Sequence, residues 1–295
     1  MDKKVCIITG ANSGIGKQAA IQIANEGAHV IIACRSEKRG REALADIQTK
    51  ISGGTAELML LDMASQRSIR TFVDEIVRKF PKIDVLIHNA ADFNIARKQA
   101  QYSPEGIETV WATNHVGPAL LTDLLMASLK RGDNGRIITV SSKGLLVKPG
   151  TKVNIADPEF KKSKYSVTSA YYQSKRAQEM YTLWLAQQLK DTSVTANCIR
   201  VTAVRIDISR YPNLSAFSRF MYSIKSKQSI TPQRMARTYT FLALSDDVNG
   251  ISGKCFDENN TQVKMNTYTT DPANIEAVMA LTKQYIRQPY GGVNG

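Results

Sequence analysis

The sequence has no long hydrophobic run. Its apolar runs at 30–33 and 58–61 are far shorter than the roughly 18 to 20 residues that a helix needs to cross a bilayer. A strand-like run at 5–9 begins so close to Met1 that it leaves no room for a signal or transit peptide. We therefore expect a cytoplasmic protein without a transmembrane segment. Repeats are also missing, and a hydrophobic content of 43% in 295 residues excludes a disordered chain.

Cysteine is scarce, with four residues in the whole chain. All four lie in or beside apolar strand-like runs and lack the spacing of metal ligands. They are Cys6, Cys34, Cys198 and Cys255. We interpret them as reduced core residues, and we expect neither disulfides nor a metal site.

Acidic residues are few relative to basic ones, and the formal net charge is +13. Such a balance is compatible with a phosphate-bearing ligand, a nucleic acid or an anionic lipid. The basic residues are scattered over short clusters such as 38–41, 161–164 and 225–227, with no aromatic-interleaved stripe or recognition-helix pattern. We therefore favour a solvated basic surface and expect no nucleic-acid partner.

Short β-branched runs alternate with longer amphipathic stretches along the chain, which is typical of βαβ units. We expect strands near residues 4–9, 28–34, 56–61, 83–88, 135–141 and 193–200. A strand such as 30–33 is apolar on both faces, so helices must cover both sides of the sheet. The prediction is an α/β protein with a doubly wound parallel sheet, a Rossmann fold. One domain spans 1–257, and residues 258–295 form a peripheral extension.

Two segments interrupt this alternation. The polar stretch 143–169 contains two turn-forming proline pairs, and we predict a loop there. The stretch 203–231 carries an aromatic cluster at 217–222 beside basic residues, and then Thr231-Pro232 starts a helix. This second segment is predicted either as a lid over a substrate or as a surface helix docked on the core.

A glycine-rich turn joins the first strand to the first helix. The residues predicted to contact a ligand there are Gly10, Asn12, Ser13, Gly14, Ile15 and Gly16. Glycines at such a turn let backbone N–H groups approach a pyrophosphate, and the helix N-terminus adds its partial positive charge. The placement between strand and helix therefore predicts a dinucleotide site.

The second strand ends in Ala33-Cys34-Arg35, where a carboxylate would hold the ribose hydroxyls of NAD. A guanidinium pairs with phosphate through two parallel hydrogen bonds, which suits the 2′-phosphate of NADP. Lys38 or Arg39 could reinforce that field. The sequence thus predicts NADP(H) as the cofactor, with an exposed, unengaged Arg35 as the alternative.

Tyr171 and Lys175 lie four residues apart in a helical stretch, so both project from one face of the helix. A tyrosine with a reference pKa of about 10 is a poor acid or base near pH 7, and an adjacent ammonium favours its phenolate. The pair therefore predicts an acid-base function. As an isolated pattern it is common, and its weight comes from the motifs around it.

These motifs together resemble the short-chain dehydrogenase/reductase superfamily over residues 3–210. In chain order they are the glycine-rich turn, Asp62, Asn89-Ala90, Asn114, Ser142 and the Tyr171, Lys175 pair. A closer resemblance to the retinol-dehydrogenase-like branch rests on 33–35, on 114–117 and on the long gap between Ser142 and Tyr171.

The resemblance implies a role for each motif residue. Tyr171 exchanges a proton with the carbonyl or alcohol oxygen, Ser142 hydrogen-bonds that oxygen, and Lys175 lowers the tyrosine pKa and binds the nicotinamide ribose. Asn114 holds a water in a proton relay. The remaining cofactor contacts are Asp62, Met63 and Asn89. The near neighbours Ser141 and Tyr172 are not assigned to the site, and His29, His88 and His115 are interpreted as structural.

One loop departs from the family pattern. Val201, Thr202 and Ile206 stand where a Pro-Gly pair and a later Thr usually embrace the nicotinamide. Losing them removes a backbone constraint and a hydrogen bond near the carboxamide. We expect this change to affect either the affinity for the cofactor or the orientation of its nicotinamide. A milder change replaces Asn-Asn-Ala-Gly by the sequence at 88–91.

The leading hypothesis is an NADPH-dependent oxidoreductase that transfers hydride to a bulky, apolar ketone or aldehyde, with Tyr171 as general acid. Two alternatives stay open: a catalytically impaired cofactor-binding regulatory protein on the same fold, and an NAD-dependent alcohol dehydrogenase. The expected partner is a small carbonyl or alcohol substrate. A homo-oligomer is possible through the helices around 112–129 and 171–189, unless the segment 258–295 covers that surface.

Overall fold

The computed structural model describes residues 3–205 and 229–287. Its centre is an eight-stranded sheet with the order β3-β2-β1-β4-β5-β6-β7-β8. All neighbouring strands are parallel except β8, which runs antiparallel to β7. The strands are β1 (Val5–Thr9), β2 (His29–Cys34), β3 (Thr55–Leu60), β4 (Val85–His88), β5 (Arg136–Ser142), β6 (Thr195–Val201), β7 (Cys255–Phe256) and β8 (Gln262–Val263).

Helices connect the parallel strands and lie on both faces of the sheet. A π-helical turn, Ala112–Val116, joins α4 to α5 without interruption. The helices are α1 (Gly14–Asn25), α2 (Glu37–Gln48), α3 (Gln66–Lys79), α4 (Thr109–Trp111), α5 (Gly117–Lys130), α6 (Gly144–Val147), α7 (Val167–Gln188), α8 (Pro232–Leu244), α9 (Thr267–Thr270) and α10 (Pro272–Arg287). The predicted doubly wound α/β fold in a single domain is confirmed.

The core divides into two layers because consecutive strand residues point to opposite faces. Ile7 packs with α3, α5, α7 and α10 on one face, whereas its neighbours Cys6 and Ile8 pack with α1 and α8 on the other. Both layers are apolar, which explains why the strand sequences show no alternation of polar residues. All four cysteines are buried, as their sequence context predicts.

The segment after β5 is shorter and more ordered than the predicted loop. The predicted loop 143–169 contains the short helix α6, and its last residues already belong to α7, which begins at Val167 with Ser166 as its N-cap. The side chain of Ser166 accepts a hydrogen bond from the backbone of Ser169 at 3.3 Å. Tyr171 therefore lies one turn inside the helix rather than at its start.

The described part of the predicted peripheral extension is integrated with the core. β7 and β8 pair across the proposed boundary at residue 258, and Val278 and Met279 of α10 are buried against α5 and α7. The described residues 258–287 therefore pair and pack with the sheet and its helices, and the domain boundary at 258 stays a prediction. Most of the predicted lid, including the aromatic cluster at 217–222, lies outside the described residues.

Within 3–205 and 229–287, no helix combines the length and the apolar character that a bilayer crossing requires.

Candidate active site

A cleft of about 540 Å³ opens at the carboxyl ends of β1 and β4. The chain crosses over from β3 to β4 there, so the connections on the two sides run in opposite directions and leave a crevice. Ten of the residues predicted to contact the cofactor line this cleft: Gly10, Asn12, Ser13, Gly14, Ile15, Gly16, Arg35, Asp62, Met63 and Asn89. The sequence motifs thus converge on one site.

The glycine-rich turn has a backbone that only glycine adopts without strain. Gly10 and Gly14 have φ of 66° and 58°. A Cβ at Gly10 would lie 2.8 Å from the Cα of Ala90, and one at Gly16 would lie 2.4 Å from the side chain of Asn89. The turn is therefore packed directly against the end of β4, where no side chain fits.

The N-terminus of α1 has the properties of an anion site. Its N-cap, Ser13, makes no side-chain hydrogen bond to the first turn, and that turn carries no acidic residue. The backbone N–H groups of the first turn therefore have no side-chain acceptor. The partial positive charge of the helix dipole at this end likewise has no acidic side chain beside it. The crowded glycines and this uncapped helix end fit a pyrophosphate group, so the residues present match a dinucleotide cofactor.

Asn89 holds the glycine-rich turn through its side chain, and its contact with the adenosine half of the cofactor stays a prediction. Its Nδ2 donates to the carbonyl oxygens of Thr9 and Gly10 at 2.8 and 3.3 Å, and its Oδ1 accepts from Tyr239 at 3.2 Å. The side chain is thus committed to fixing the glycine-rich turn, and any contact with adenosine falls to its backbone. Sequence reasoning identified the residue but not this function.

Arg35 follows β2 at the rim of the cleft and is 77% exposed. Its Nη1 lies 3.9 Å from Oδ2 of Asp62, a distance at which an exposed ion pair contributes little. The nearest following carboxylate, Glu37, is bound by Arg41 through two hydrogen bonds of 2.9 and 2.6 Å. Arg39 lines the same cleft. This end of the site is therefore cationic.

The alternation of β5 distinguishes Ser142 from Ser141. Ser141 points into the interior and donates to Oε1 of Glu179 at 2.8 Å. Ser142, the last residue of the strand, points the other way and hydrogen-bonds the hydroxyl of Tyr171. Its Oγ also accepts from the backbone N–H of Gly144 at 3.2 Å. The choice of Ser142 from the motif agrees with this geometry.

Tyr171 is enclosed on one face of α7. Burial raises the pKa of its hydroxyl to about 12, although the hydrogen bond from Ser142 acts in the opposite direction. Phe93 packs on its ring with the centroids 4.4 Å apart. The family resemblance implies that Lys175 lowers this pKa, but the net direction in the structure is upward because the cost of burying a phenolate dominates. Neighbouring Tyr172 instead packs beside Gly144.

Lys175 reaches the same point from one turn further along α7. Its Nζ lies 5.6 Å from the centre of the Tyr171 ring and donates to the carbonyl oxygen of Val140 at 2.8 Å. Burial lowers the pKa of its ammonium to about 8. Ser142, Tyr171 and Lys175 are therefore in one place, between the end of β5 and α7.

Asn114 lies in the π-helical turn and is buried. Its Oδ1 accepts from the backbone of Asp92 at 2.7 Å, and its Nδ2 donates to the Asp92 carbonyl and to Oγ of Ser174. The side chain thus joins the loop after β4 to α7. Its role in a proton relay stays a prediction.

The loop after β4 contributes residues that sequence reasoning missed. Arg97 forms an ion pair with Asp92, with contacts of 2.6 and 3.1 Å, and also donates to Thr109 at 2.9 Å. All three line the cleft. An acidic and a basic residue five apart just after a strand were the available signal, but nothing in their spacing shows that the loop folds back over the site.

His115, next to Asn114, connects the π-helical turn to α10. Gln178 donates to its Nδ1 at 3.3 Å, so the proton is on Nε2, which donates to Oγ1 of Thr282 at 2.7 Å. Burial lowers the pKa of His115 to about 3. His88 is buried likewise, contacts Thr122 at 2.7 Å, and has its pKa lowered to about 3. Both rings are thus held by buried hydrogen bonds inside the fold.

The altered loop after β6 is described only as far as Arg205. The carbonyl of Val201 accepts from the backbone of Lys143 at 2.8 Å, which ties the end of β6 to the end of β5. Thr202 follows in an irregular stretch. Ile206 lies outside the described residues, so the effect of this loop on the nicotinamide stays a prediction.

Comparison with known proteins decides the family. The family model for short chain dehydrogenases matches residues 4–213. The chain belongs to the short-chain dehydrogenase family. It is thus an oxidoreductase of the family that the motifs resemble, and the family uses a nicotinamide cofactor.

Among curated relatives of this short-chain dehydrogenase is retinol dehydrogenase 14 from Mus musculus, 35% identical over 267 residues that cover 87% of this chain and 78% of the relative. Retinol dehydrogenase 13 from the same organism is 34% identical over 262 residues, 86% of this chain and 75% of the relative. The predicted likeness to the retinol-dehydrogenase-like branch is confirmed.

Two solved structures show the same fold. An uncharacterized protein from Mycobacterium paratuberculosis matches with a TM-score of 0.72 and 25% identity, covering 96% of this chain and 93% of the other. A short chain dehydrogenase from Shigella flexneri 2a, solved in complex with NADP, matches with a TM-score of 0.65 and 23% identity, covering 88% of this chain and 98% of the other. At that identity the second likeness concerns the fold alone.

Proposed function

We propose that this short-chain dehydrogenase uses NADP(H) and reduces a bulky, apolar ketone or aldehyde, with Tyr171 as the general acid. The observation that carries the proposal is the meeting of Ser142, Tyr171 and Lys175 at the end of β5, beside the cleft that the glycine-rich turn lines. A bound nicotinamide cofactor supplies the hydride. The chain's own residues bind the substrate oxygen and move the proton.

Proton transfer follows from the state of Tyr171. With its pKa raised to about 12, the hydroxyl is protonated near neutral pH and can donate to the carbonyl oxygen as negative charge develops there. Ser142 already contacts the tyrosine hydroxyl, so it can donate a hydrogen bond to the same oxygen. The ammonium of Lys175, 5.6 Å from the ring centre, stabilises the phenolate that remains.

Tyr171→Phe tests this role, with Tyr172→Phe as the matched control on the same helix. Removing the Tyr171 hydroxyl removes the proton donor, and we expect turnover to fall by about 10² to 10⁴ while NADPH binding is retained. The control should keep its turnover, because Tyr172 packs beside Gly144 instead. Equal losses in both variants would contradict the assignment.

The pH profile gives a second readout of the same site. The pKa of Lys175 is about 8 and that of Tyr171 about 12, so the first group to lose a proton on raising the pH is the lysine. Reduction needs the charged lysine and the protonated tyrosine. We expect kcat/KM for reduction to be constant below about pH 8 and to decline above it; a rise with pH would refute the acid role of the tyrosine.

The preference for NADP(H) is supported by the cationic rim of the cleft. Arg35 and Arg39 line it, and the following carboxylate, Glu37, is bound to Arg41. A 2′-phosphate bound at this rim would lie beside a guanidinium. The first carboxylate after β2 is already paired and would not repel it. The retinol dehydrogenases to which the chain is similar act, by their name, on an apolar alcohol, and Phe93 supplies an apolar wall beside Tyr171. This supports an apolar substrate.

Titration with NADPH and NADH, followed by nicotinamide fluorescence, tests the cofactor. We expect Arg35→Asp to weaken NADPH binding at least tenfold and to leave NADH binding nearly unchanged, since only the phosphate is repelled. Arg237→Asp is the control, because Arg237 is an exposed arginine on α8 that does not line the cleft. Equal weakening of both cofactors by Arg35→Asp would remove the phosphate contact from the proposal.

Two other functions are separated by this titration combined with a turnover assay. An NAD-dependent alcohol dehydrogenase, favoured by the name of the relatives, would prefer NADH. A catalytically impaired regulatory protein, favoured by Val201 and Thr202 in place of Pro-Gly, would bind a cofactor without turnover of any carbonyl.

A further inference from the structure

A largely buried ion pair holds the loop after β4 in its place. Arg97 and Asp92 are 11% and 21% exposed, and the two Nη atoms of the arginine donate to the two carboxylate oxygens at 2.6 and 3.1 Å. Two parallel hydrogen bonds of this kind fix the orientation of both side chains, which a single contact does not. The backbone of residues 90–97, which we call the strap, has no helix or strand of its own, so its position depends on contacts such as this one.

Arg97 also joins the strap to two helices. Its Nη1 donates to Oγ1 of Thr109, the first residue of α4, at 2.9 Å. The guanidinium further donates to the hydroxyl oxygen of Tyr165, and that hydroxyl donates to Oε1 of Glu108 at 3.1 Å. Tyr165 immediately precedes Ser166, the N-cap of α7. One side chain therefore ties the strap to the start of α4 and to the start of α7, the helix of the proposed proton donor.

The strap in turn contacts the proposed active site at two consecutive residues. The backbone N–H of Asp92 donates to Oδ1 of Asn114 at 2.7 Å, and its carbonyl oxygen accepts from Nδ2 of Asn114 at 3.2 Å. The ring of the next residue, Phe93, packs on that of Tyr171 with the centroids 4.4 Å apart. The side chain of Asp92 is thus held by Arg97 while its backbone holds Asn114, so a displacement of Asp92 would move both contacts.

We propose that Arg97 is a positioning residue of the active site. By holding Asp92 it fixes the strap, and through the strap it keeps Asn114 and Phe93 in their places beside Tyr171. A displacement of about 1 Å at an active site can cost about 10²-fold in rate, so a residue that touches none of the reacting groups can still limit turnover. The effect on turnover rests on the proposed function, whereas the hold on the strap does not.

A rival explanation is that the pair acts through its charge alone, because Asp92 and Arg97 both line the cofactor cleft. Arg97→Met leaves a carboxylate that repels the cofactor phosphates, and Asp92→Ala leaves a guanidinium that attracts them. We expect the Kd for NADPH, measured by nicotinamide fluorescence, to rise about two- to fivefold in the first variant and not to rise in the second. A role through charge alone predicts these shifts and no change in kcat.

Turnover at saturating NADPH separates the two explanations. With para-nitrobenzaldehyde as the substrate, positioning predicts that kcat falls about 10- to 100-fold in Arg97→Met and in Asp92→Ala alike, since each variant releases the strap. The double variant should be no slower than either single variant, because the same contact is lost only once. An unchanged kcat in either variant, or losses that simply multiply in the double variant, would overturn the proposal.

Two further variants separate the geometry of the arginine from its charge. Arg97→Lys keeps the positive charge but loses the planar fork that bonds both oxygens of Asp92 and Thr109. Its kcat should fall at least about fivefold, while its Kd for NADPH changes less than about twofold. Lys82→Met is the control, because it breaks an exposed pair with Asp133 at the opposite edge of the sheet and should change kcat less than about twofold.

Hydrogen–deuterium exchange followed by mass spectrometry measures the hold on the strap without any turnover. The amide of Asp92 is bonded to Asn114 in the intact protein. We expect peptides that cover the strap to exchange at least about tenfold faster in Arg97→Met and in Asp92→Ala, while peptides from β3 keep their wild-type rate. Unchanged exchange in the strap would overturn the proposal. So would faster exchange throughout the sheet, which reports a loss of global stability rather than the release of one loop.

Exchange and turnover together distinguish a failure of this proposal from a failure of the proposed function. A wild-type chain that binds NADPH and reduces no carbonyl would contradict the proposed function, and the exchange rates would still decide whether Arg97 holds the strap. Faster exchange in the strap with an unchanged kcat in Arg97→Met would leave the proposed function standing and overturn the positioning role.

Discussion

A buried ion pair on α7, formed by Arg176 and Glu179, should contribute strongly to the stability of the fold. Arg176 and Glu179 are each 2% exposed, and Nη1 of the arginine lies 3.0 Å from Oε2 of the glutamate. Glu179 also accepts from Ser141, and Arg176 also donates to Thr151 and Thr269. The pair therefore joins α7 to the end of β5, to the loop after it and to α9.

Glu179→Gln keeps the shape of the side chain and removes its charge. The arginine is then left buried without a counter-charge, which costs about 3 to 5 kcal/mol when one member of a buried pair is removed. Against a typical free energy of unfolding of about 5 to 15 kcal/mol, this is a large fraction. Urea unfolding followed by circular dichroism measures the loss in the free energy of unfolding. The two proteins are compared with the same dependence of that free energy on urea concentration.

A double substitution and a surface control complete this experiment. Arg176→Met with Glu179→Leu removes both charges, and we expect it to be less destabilising than Glu179→Gln alone, because no buried charge remains uncompensated. Glu37→Gln, in the exposed pair with Arg41, should cost less than about 1 kcal/mol. A cost for Glu179→Gln no larger than that of Glu37→Gln would refute the reasoning.

Two further predictions concern the buried histidines. Thr282→Val removes the hydroxyl that accepts from His115 at 2.7 Å and should lower the free energy of unfolding by about 1 to 3 kcal/mol, whereas Thr282→Ser keeps the hydroxyl and should cost less; urea unfolding compares the two. The folded pKa of His88 and of His115 is about 3, below the usual 6.5, so the unfolded chain binds more protons and stability falls as the pH drops below about 6.5. Between pH 7 and pH 5 this amounts to about 2 kcal/mol per histidine, and a free energy of unfolding that stays constant over that range would contradict their burial as neutral groups.

The parallel sheet was predictable because each of its longer strands can be recognised from its own sequence. Each of the six predicted strands overlaps an observed one, since a strand buried on both faces is a continuous apolar run between turns. β7 and β8 have two residues each and are too short to show any period. Their pairing, which carries the sheet past residue 258, depends on tertiary contacts alone.

The candidate site was predictable where local backbone geometry decides which residue a position takes. The glycine-rich turn and the choice of Ser142 over Ser141 both follow from local geometry, namely crowding against Ala90 and the alternation of a strand. What could not be predicted depends on contacts between residues that are far apart in the sequence. The commitment of Asn89 to the turn and the reversal of the Tyr171 pKa both arise from neighbours that the sequence does not place beside them.

The contact between His115 and Thr282 has a consequence for how the protein is made. Every residue of the proposed catalytic group lies at or before position 175, but the helix that covers the π-helical turn and bonds His115 is the last described element of the chain. Because synthesis proceeds from the N-terminus, the sheet and its motifs leave the ribosome well before α10 does. Until then His115 lacks its bond to Thr282 and the buried faces of α5 and α7 lack the cover of α10, so the enzyme becomes complete only when α10 docks.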